Sequence, residues 1–257
     1  MRWRAYLSDP ALRDFEAIEV GGWRILVRSG FRSWAAGAAK GELDAAATIG
    51  GGRAEHPVFA LPDGGEAVFR RFHRGGLMRH LNGDAYFAGH RAFAEARVTA
   101  RAAAAGVRVP EVIAAGERRS GLAYRAWIAT RRIARASGLE ERLATAGAAG
   151  AERRSALLGA AGEQIGRMHD AGIIHPDLNL RNLLVVQDGD EALTVYIIDF
   201  DRAVLLPAAA PSRQRARELL RLARSAAKLG VPLRPEDWAS LRAGYGPAWP
   251  ADELPLP

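Results

Sequence analysis

The chain has 257 residues, of which 49% are hydrophobic and 25% charged, a composition typical of a folded protein and unlike that of a disordered chain. It contains no cysteine, which excludes disulfide bonds, thiolate metal sites, iron–sulfur clusters and cysteine nucleophiles. The formal net charge of +7 comes almost wholly from arginine, an excess that genomic base composition alone can produce, and without a recognition motif nucleic acid is not an expected partner.

The first half of the chain is predicted to form a small antiparallel sheet with one helix. Apolar and alternating patterns predict strands over 22–28, 66–72, 111–115 and 122–129. The glycines at 50–52 form a predicted flexible turn. Alanine and other strong helix formers predict a helix over 89–105, and Gly106 follows it where a left-handed residue commonly ends a helix.

The second half is predicted to be mainly helical. Apolar residues recur at helical spacing between Leu157 and Met168, and Gly172 follows as a stop. A β-hairpin is predicted over 182–187 and 193–198, and a further helix over 212–229.

Three oxygen-bearing side chains converge at the open end of this predicted hairpin. If residue 187 pairs with 193, paired residue numbers sum to about 380, so Asn182 lies opposite Ile198 and beside Asp199. Asp177 lies on the loop that leads into the same strand. Carboxylate and amide oxygens of this kind suit Mg²⁺, which shares its remaining coordination with water and phosphates.

The same residues match the catalytic-loop pattern of protein kinases. That pattern is H-R-D-L-x-x-x-N followed by D-F-G, and this chain has H-P-D-L-N-L-R-N at 175–182 and D-F-D at 199–201. By this match Asp177 would orient and deprotonate the attacking hydroxyl, while Asn182 and Asp199 would bind Mg²⁺. The alternative is a surface loop ahead of a hairpin, without catalytic function.

The first half supplies further kinase-like residues in the expected order. Arg70 occupies the position of the kinase strand lysine, because neither Lys40 nor Lys228 lies where that lysine should be. Glu95 on the following helix is the candidate partner of Arg70. The backbone of Gly51, Gly52 and Arg53 could cover nucleotide phosphates. The alternatives are ordinary solvated charges at Arg70 and Glu95, and an ordinary flexible turn at the glycines.

Several segments together resemble the Kdo kinase branch of the lipopolysaccharide kinases. They are R-R-F-H-R-G-G-L at 70–77, F-A-E at 93–95, H-P-D-L-N at 175–179 and I-D-F-D-R at 198–202. The resemblance implies an α+β, two-lobed protein-kinase-like fold, with an N-lobe over 1–130 and a mainly helical C-lobe over 131–257. It also implies a phosphotransferase that uses ATP and Mg²⁺ to phosphorylate a Kdo (3-deoxy-D-manno-octulosonic acid) hydroxyl of a lipid A precursor.

The expected acceptor is a sugar rather than a peptide. Protein kinases usually carry lysine two residues after the catalytic aspartate, whereas this chain has Asn179, which we assign to the catalytic group. The predicted helix at 212 begins too soon after Asp199 for a peptide platform. Arg74 would contact an acidic sugar carboxylate or serve a structural purpose. Another small-molecule kinase, an atypical protein kinase and a non-catalytic nucleotide-binding pseudokinase remain alternatives.

The helix over 212–229 suggests a location. Four arginines share one face, and they are Arg213, Arg217, Arg221 and Arg224. Leu220, Ala223 and Ala227 form the expected apolar face. Such a helix could contact anionic lipid headgroups or acceptor phosphates, or simply be a solvated charged surface. No signal peptide or membrane helix is evident, so we expect a cytoplasmic protein, peripheral on the inner membrane if this contact forms.

Overall fold

The structure, a computed structural model, describes residues 3–51, 54–72, 90–120, 123–146, 150–187 and 193–254. The chain divides into two compact units. The first comprises Met1–Ala100 and Pro110–Arg132, and the second comprises Arg101–Val109 and Ile133–Pro257. Among the described residues, no helix has both the length and the apolar character that crossing a membrane requires.

A seven-stranded antiparallel sheet forms the centre of the first unit. Its strands, in chain order, are β1 (Phe15–Val20), β2 (Trp23–Arg28), β3 (Ala47–Gly51), β4 (Ala54–Ala60), β5 (Glu66–Arg71), β6 (Val112–Ser120) and β7 (Ala123–Arg131). Their order across the sheet is β1-β2-β6-β7-β5-β4-β3. The predicted strands are confirmed, but the sheet is larger than predicted, because β1, β3 and β4 carry no strong alternating pattern.

Two helices of the described residues lie on opposite faces of this sheet. Helix α1 (Arg32–Lys40) buries Trp34 in one core cluster with Ile25, and helix α2 (Arg91–Ala104) buries Phe93 in the other with Leu26. Neighbouring residues of a strand point to opposite faces, so Ile25 and Leu26 enter different clusters. Sequence analysis predicts α2 but not α1.

Four α-helices of the part of the chain that the structure describes belong to the second unit. They are α3 (Leu139–Thr145), α4 (Ala151–Asp170), α5 (Ser212–Lys228) and α6 (Pro235–Tyr245). Helix α6 packs so closely on α4 that a Cβ on Gly162 would collide with the Leu241 backbone. A buried ion pair between Arg154 and Asp237 joins the same two helices, with Nε and Oδ1 2.7 Å apart.

Short strands complete the second unit. They are β8 (Ser137–Gly138), β9 (Ile173–Ile174), β10 (Leu183–Val186), β11 (Thr194–Ile197) and β12 (Val204–Leu205). Strands β10 and β11 form the predicted hairpin, and Leu183 pairs with Ile197, so the paired numbers sum to 380 as expected. Strand β8 extends this hairpin, and β9 pairs with β12.

The apolar face predicted for α5 is wrong. The buried apolar residues are Ala216, Leu219, Leu222 and Ala226, whereas Ala227 is exposed and Leu220 and Ala223 are half-buried. The pattern misleads because the buried side of the helix also holds Arg215 and Glu218, which are charged. Of the four predicted surface arginines, Arg213, Arg217 and Arg224 are exposed and Arg221 is half-buried.

Candidate functional site

The first unit joins Arg70 and Glu95 as predicted. One guanidinium nitrogen, Nη2 of Arg70 on β5, donates to both carboxylate oxygens of Glu95 on α2, each at 2.5 Å. The Glu95 side chain is 5% exposed and that of Arg70 23% exposed. Charge-assisted bonds of this kind are strong, and removing one partner would leave a buried charge uncompensated.

The alternation of β5 explains why Arg70 faces α2. Ala67 and Phe69 belong to the core cluster that contains α1, whereas Phe72 belongs to the cluster that contains α2. Arg70 has the same parity as Phe72, and its guanidinium carbon lies 4.7 Å from the centre of the Phe72 ring. Strand geometry therefore directs the cation of Arg70 to the helix that carries Glu95.

The predicted phosphate-covering turn is described only in part. Gly51 ends β3 and pairs with Ala54 at the start of β4. Gly52 and Arg53 lie outside the described residues, and so does Arg74.

In the second unit, the 175–182 loop presents Asp177 to solvent. Leu178 and Leu180 on either side of Asn179 are fully buried, while the Asp177 side chain is exposed. The Nδ2 groups of Asn179 and Asn182 both donate to the backbone oxygen of Asp177, at 2.8 and 2.9 Å. Two amides thus hold the Asp177 backbone while leaving its carboxylate accessible.

The side chain of Asn179 is engaged within this loop. Its Oδ1 accepts the backbone N–H of Arg181 at 2.9 Å and caps the 3-10 helix Leu180–Asn182, while its Nδ2 binds Asp177. Both ends of the amide therefore stabilise the loop conformation.

Asn182 and Asp199 lie next to each other across the hairpin. The N–H of Ile198 donates to the backbone oxygen of Asn182 at 2.9 Å, which places Asp199 one residue away, as the predicted register requires. Asp199 has a left-handed backbone with φ of 63°, a conformation that costs about 1 kcal/mol outside glycine. Phe200, which follows it, is buried and fixes this turn.

The chemistry of Asn182 and Asp199 fits a magnesium ion. Because Nδ2 of Asn182 is bound to Asp177, the amide is oriented and its oxygen is the atom left to face a cation. Two protein oxygens suit Mg²⁺, which keeps several waters and binds phosphates, better than a metal that requires a full protein cage.

A buried glutamate, Glu218 on α5, anchors the start of the 175–182 loop. Its Oε2 accepts the backbone N–H of His175 at 2.9 Å. The His175 ring is buried, lies 3.1 Å by Nε2 from the backbone oxygen of Ile198, and contacts Phe200 at a centroid distance of 5.1 Å. The histidine therefore braces the loop against the Asp199 turn.

Glu218 is itself held by a histidine. Nε2 of His169 lies 3.0 Å from Oε2 of Glu218, and Nδ1 lies 2.6 Å from the hydroxyl of Tyr245. Burial lowers the pKa of His169, against the opposing effect of Glu218, and burial raises the pKa of Tyr245 to about 12. Sequence analysis missed this network of Glu218, His169 and Tyr245. The available signal is Glu218 itself, a charged residue among the apolar positions of α5.

Comparisons with known proteins point in one direction. The model of the Lipopolysaccharide kinase (Kdo/WaaP) family matches residues 50–245, more than half of the chain. The chain is 36% identical over 198 residues to a 3-deoxy-D-manno-octulosonic acid kinase of Xylella fastidiosa (strain 9a5c), covering 72% of this chain and 73% of that one. It is 37% identical over 194 residues to the enzyme of that name from Stenotrophomonas maltophilia (strain K279a), covering 72% and 73%.

A solved structure supports the fold. The structure of WaaP in complex with acyl carrier protein is similar to this chain with a TM-score of 0.63, at 21% sequence identity, over 88% of this chain and 90% of that one. The predicted kinase-like α+β fold is confirmed.

Proposed function

The chain belongs to the lipopolysaccharide kinase family of Kdo and WaaP proteins, and we propose that it transfers the γ-phosphate of ATP to a hydroxyl of Kdo in a lipid A precursor. The observation that carries this proposal is the 175–182 loop, which holds an accessible Asp177 carboxylate on a backbone fixed by two amides. The names of the curated relatives support Kdo as the acceptor.

Asp177 is the proposed base. Its carboxylate would accept the proton of the acceptor hydroxyl as that oxygen attacks phosphorus, a role that contributes about 10²–10⁴-fold in rate. Asn179, predicted to be catalytic, would act by positioning Asp177, because both ends of its amide bind the loop backbone.

Asn182 and Asp199 are the proposed metal-binding residues. A Mg²⁺ ion bound there would neutralise charge on the phosphates of ATP. The oriented amide of Asn182 and the fixed turn at Asp199 would hold these two oxygens ready for the ion.

Arg70 is the proposed phosphate-binding cation of the first unit, and Glu95 orients it. Gly51, Gly52 and Arg53 stay the predicted phosphate-covering turn. Arg74 stays a predicted contact to the acidic group of Kdo, and the lobe boundary near residue 130 stays a prediction.

A sugar acceptor is also supported by the chain that follows Asp199. Only the short strand β12 lies between this residue and the start of α5 at Ser212, which leaves little chain for a peptide-binding segment. The exposed Arg213, Arg217 and Arg224 would attract anionic headgroups beside such a lipid acceptor, at the cytoplasmic face of the inner membrane.

The proposed function is tested with a defined acceptor. Purified protein is incubated with ATP, Mg²⁺ and a Kdo-bearing lipid A precursor, and the products are examined by mass spectrometry and fragmentation. The matched control acceptor is the same precursor without Kdo. We expect phosphate on the Kdo sugar of the first acceptor and no phosphate transfer to the control acceptor. Phosphate on both acceptors, or ATP turnover without transfer, would contradict the proposal.

A further inference from the structure

Glu117 on β6 lies buried against the beginning of α2. Glu117 is 5% exposed, and the backbone N–H groups of Ala92 and Phe93 interact with its carboxyl group and favour its ionised form, which lowers its pKa. Oε2 also lies 2.6 Å from Nδ1 of His90, the residue just before the helix. The His90 ring stacks on Phe93 with a centroid distance of 5.8 Å.

Glu117 thus places a carboxyl group at the N-terminus of α2, where a helix cap would lie, although it belongs to a distant strand. The first N–H groups of a helix have no partner within it, and a carboxyl group there satisfies them and interacts favourably with the helix dipole. A cap normally comes from the residue beside the helix, whereas Glu117 belongs to the central part of the sheet. It therefore also fixes where the helix begins relative to the strands.

Glu95 lies within one turn of the two capped residues. Its carboxylate meets Arg70 on β5, so a displacement of the helix start would lengthen both Arg70–Glu95 bonds. We propose that Glu117, together with His90, is a positioning residue that sets α2 so that Glu95 orients Arg70 for ATP. This inference rests on the proposed phosphate-binding function of Arg70.

The surroundings of Glu117 make this position sensitive to pH. Burial raises the pKa of Glu117 to about 7, against the opposing effect of the bond to His90. Tyr6, on the 3-10 helix Trp3–Ser8, interacts electrostatically with Glu117, and Arg24 on β2 is its cross-strand neighbour. Arg97 on α2 lies over the Tyr6 ring. His90 lines an open cleft, so protons can reach the pair.

The expected direction follows from the two forms of the carboxyl group. The ionised form carries the negative charge that the N-terminus of a helix favours, whereas the protonated form lacks that charge and uses one oxygen as a donor, so it supports the start of α2 less well. ATP should therefore bind more tightly above pH 7 than below it. Glu117→Gln keeps the shape of the side chain but resembles the protonated form at every pH.

The test compares Glu117→Gln with Glu19→Gln, which changes an exposed glutamate of the same sheet. ATP affinity is measured by calorimetry across the neutral range, without an acceptor. Glu117→Gln should weaken ATP binding about fivefold above pH 7 and abolish its pH dependence. Glu19→Gln should change neither. Wild-type pH dependence in Glu117→Gln would overturn the inference.

Amide hydrogen exchange provides a readout that does not depend on ATP. Exchange at residues 91–95 should be faster in Glu117→Gln than in the wild type, and unchanged in Glu19→Gln. Unchanged exchange in Glu117→Gln would overturn the positioning role even if the chain proves to be a kinase. If the wild type binds no ATP, the proposed function is refuted. Faster exchange in Glu117→Gln would in that case still support the control of α2 by Glu117.

Discussion

Each unit contains a buried glutamate that contacts a histidine and also interacts with backbone N–H. In the first unit Glu117 contacts His90 and interacts with the N–H groups at the start of α2, and in the second Glu218 contacts His169 and accepts the N–H of His175. Both thus tie a proposed functional element to the core, α2 with Glu95 in one case and the 175–182 loop in the other.

The two pairs differ in their access to solvent. His90 is 16% exposed and lines an open cleft, whereas His169 is fully buried and burial lowers its pKa, so it stays neutral around pH 7. A glutamate–histidine contact can therefore serve as a pH-sensitive support in one unit and as a permanent support in the other.

The largest effect on stability is expected from breaking the permanent support. Glu218→Ala removes the acceptor of the His175 N–H and of His169, and we expect a loss of about 3 kcal/mol in the free energy of unfolding, measured by urea denaturation. Glu218→Gln, which retains an acceptor oxygen, should recover most of this stability. Glu236→Ala, at an exposed site on α6, is the control. An equal loss in Glu218→Gln and Glu218→Ala would contradict the assigned hydrogen bonds.

The titratable support should make stability depend on pH. Burial raises the pKa of Glu117 from 4.5 to about 7, because the cost of burying the charge exceeds what the N–H groups and His90 return to the ionised form. The fold as a whole therefore favours the protonated carboxyl group, and this contribution to stability is fully present below pH 4.5 and is lost as the pH rises through 7. We expect a decrease on the order of 1–3 kcal/mol across this window, and Glu117→Gln should remove it. Urea unfolding over this pH range measures the difference. An unchanged slope in the variant would assign the pH dependence to other groups.

The ion pair that Glu117 supports should respond to a change of cation. Arg70→Lys keeps the charge but loses the guanidinium donors that bind Glu95, so we expect the KM for ATP to rise about tenfold with a smaller change in kcat. Arg71→Lys, on the opposite side of the same strand and exposed, is the matched control. A wild-type KM in Arg70→Lys would indicate that the pair is only structural.

The smallest effect is expected on the exposed face of α5. Arg217→Glu with Arg224→Glu should weaken co-sedimentation with vesicles that contain anionic lipid and leave the free energy of unfolding nearly unchanged, since both arginines are exposed. Vesicles of neutral lipid serve as the control. Equal co-sedimentation of variant and wild type would show that this face is only solvated.

The sequence predicts those parts of the site that depend on local order. The hairpin register follows from its turn, so Asn182 and Asp199 are correctly placed beside each other. Arg70 and Glu95 follow from their order along the chain and from the family resemblance.

The supporting residues are not visible in the sequence, because their contacts span the fold. Glu117 lies 27 residues from His90, and Glu218 lies 49 from His169. Helix α6 is missed for another reason: its contact with α4 depends on glycines such as Gly162 and Gly244 rather than on an apolar stripe. The face of α5 is misplaced because a buried Glu218 looks like a surface residue in any polarity pattern.

The most direct test of the central claim compares wild type and Asp177→Asn on the Kdo-bearing lipid A precursor. The substitution removes the proposed base but leaves the Asp177 backbone oxygen, which both amides bind, in place. We predict that phosphate transfer to Kdo falls by about 10²–10⁴-fold while ATP affinity is retained. The exposed Asp252→Asn serves as control and should transfer at the wild-type rate. Wild-type transfer by Asp177→Asn would contradict the account.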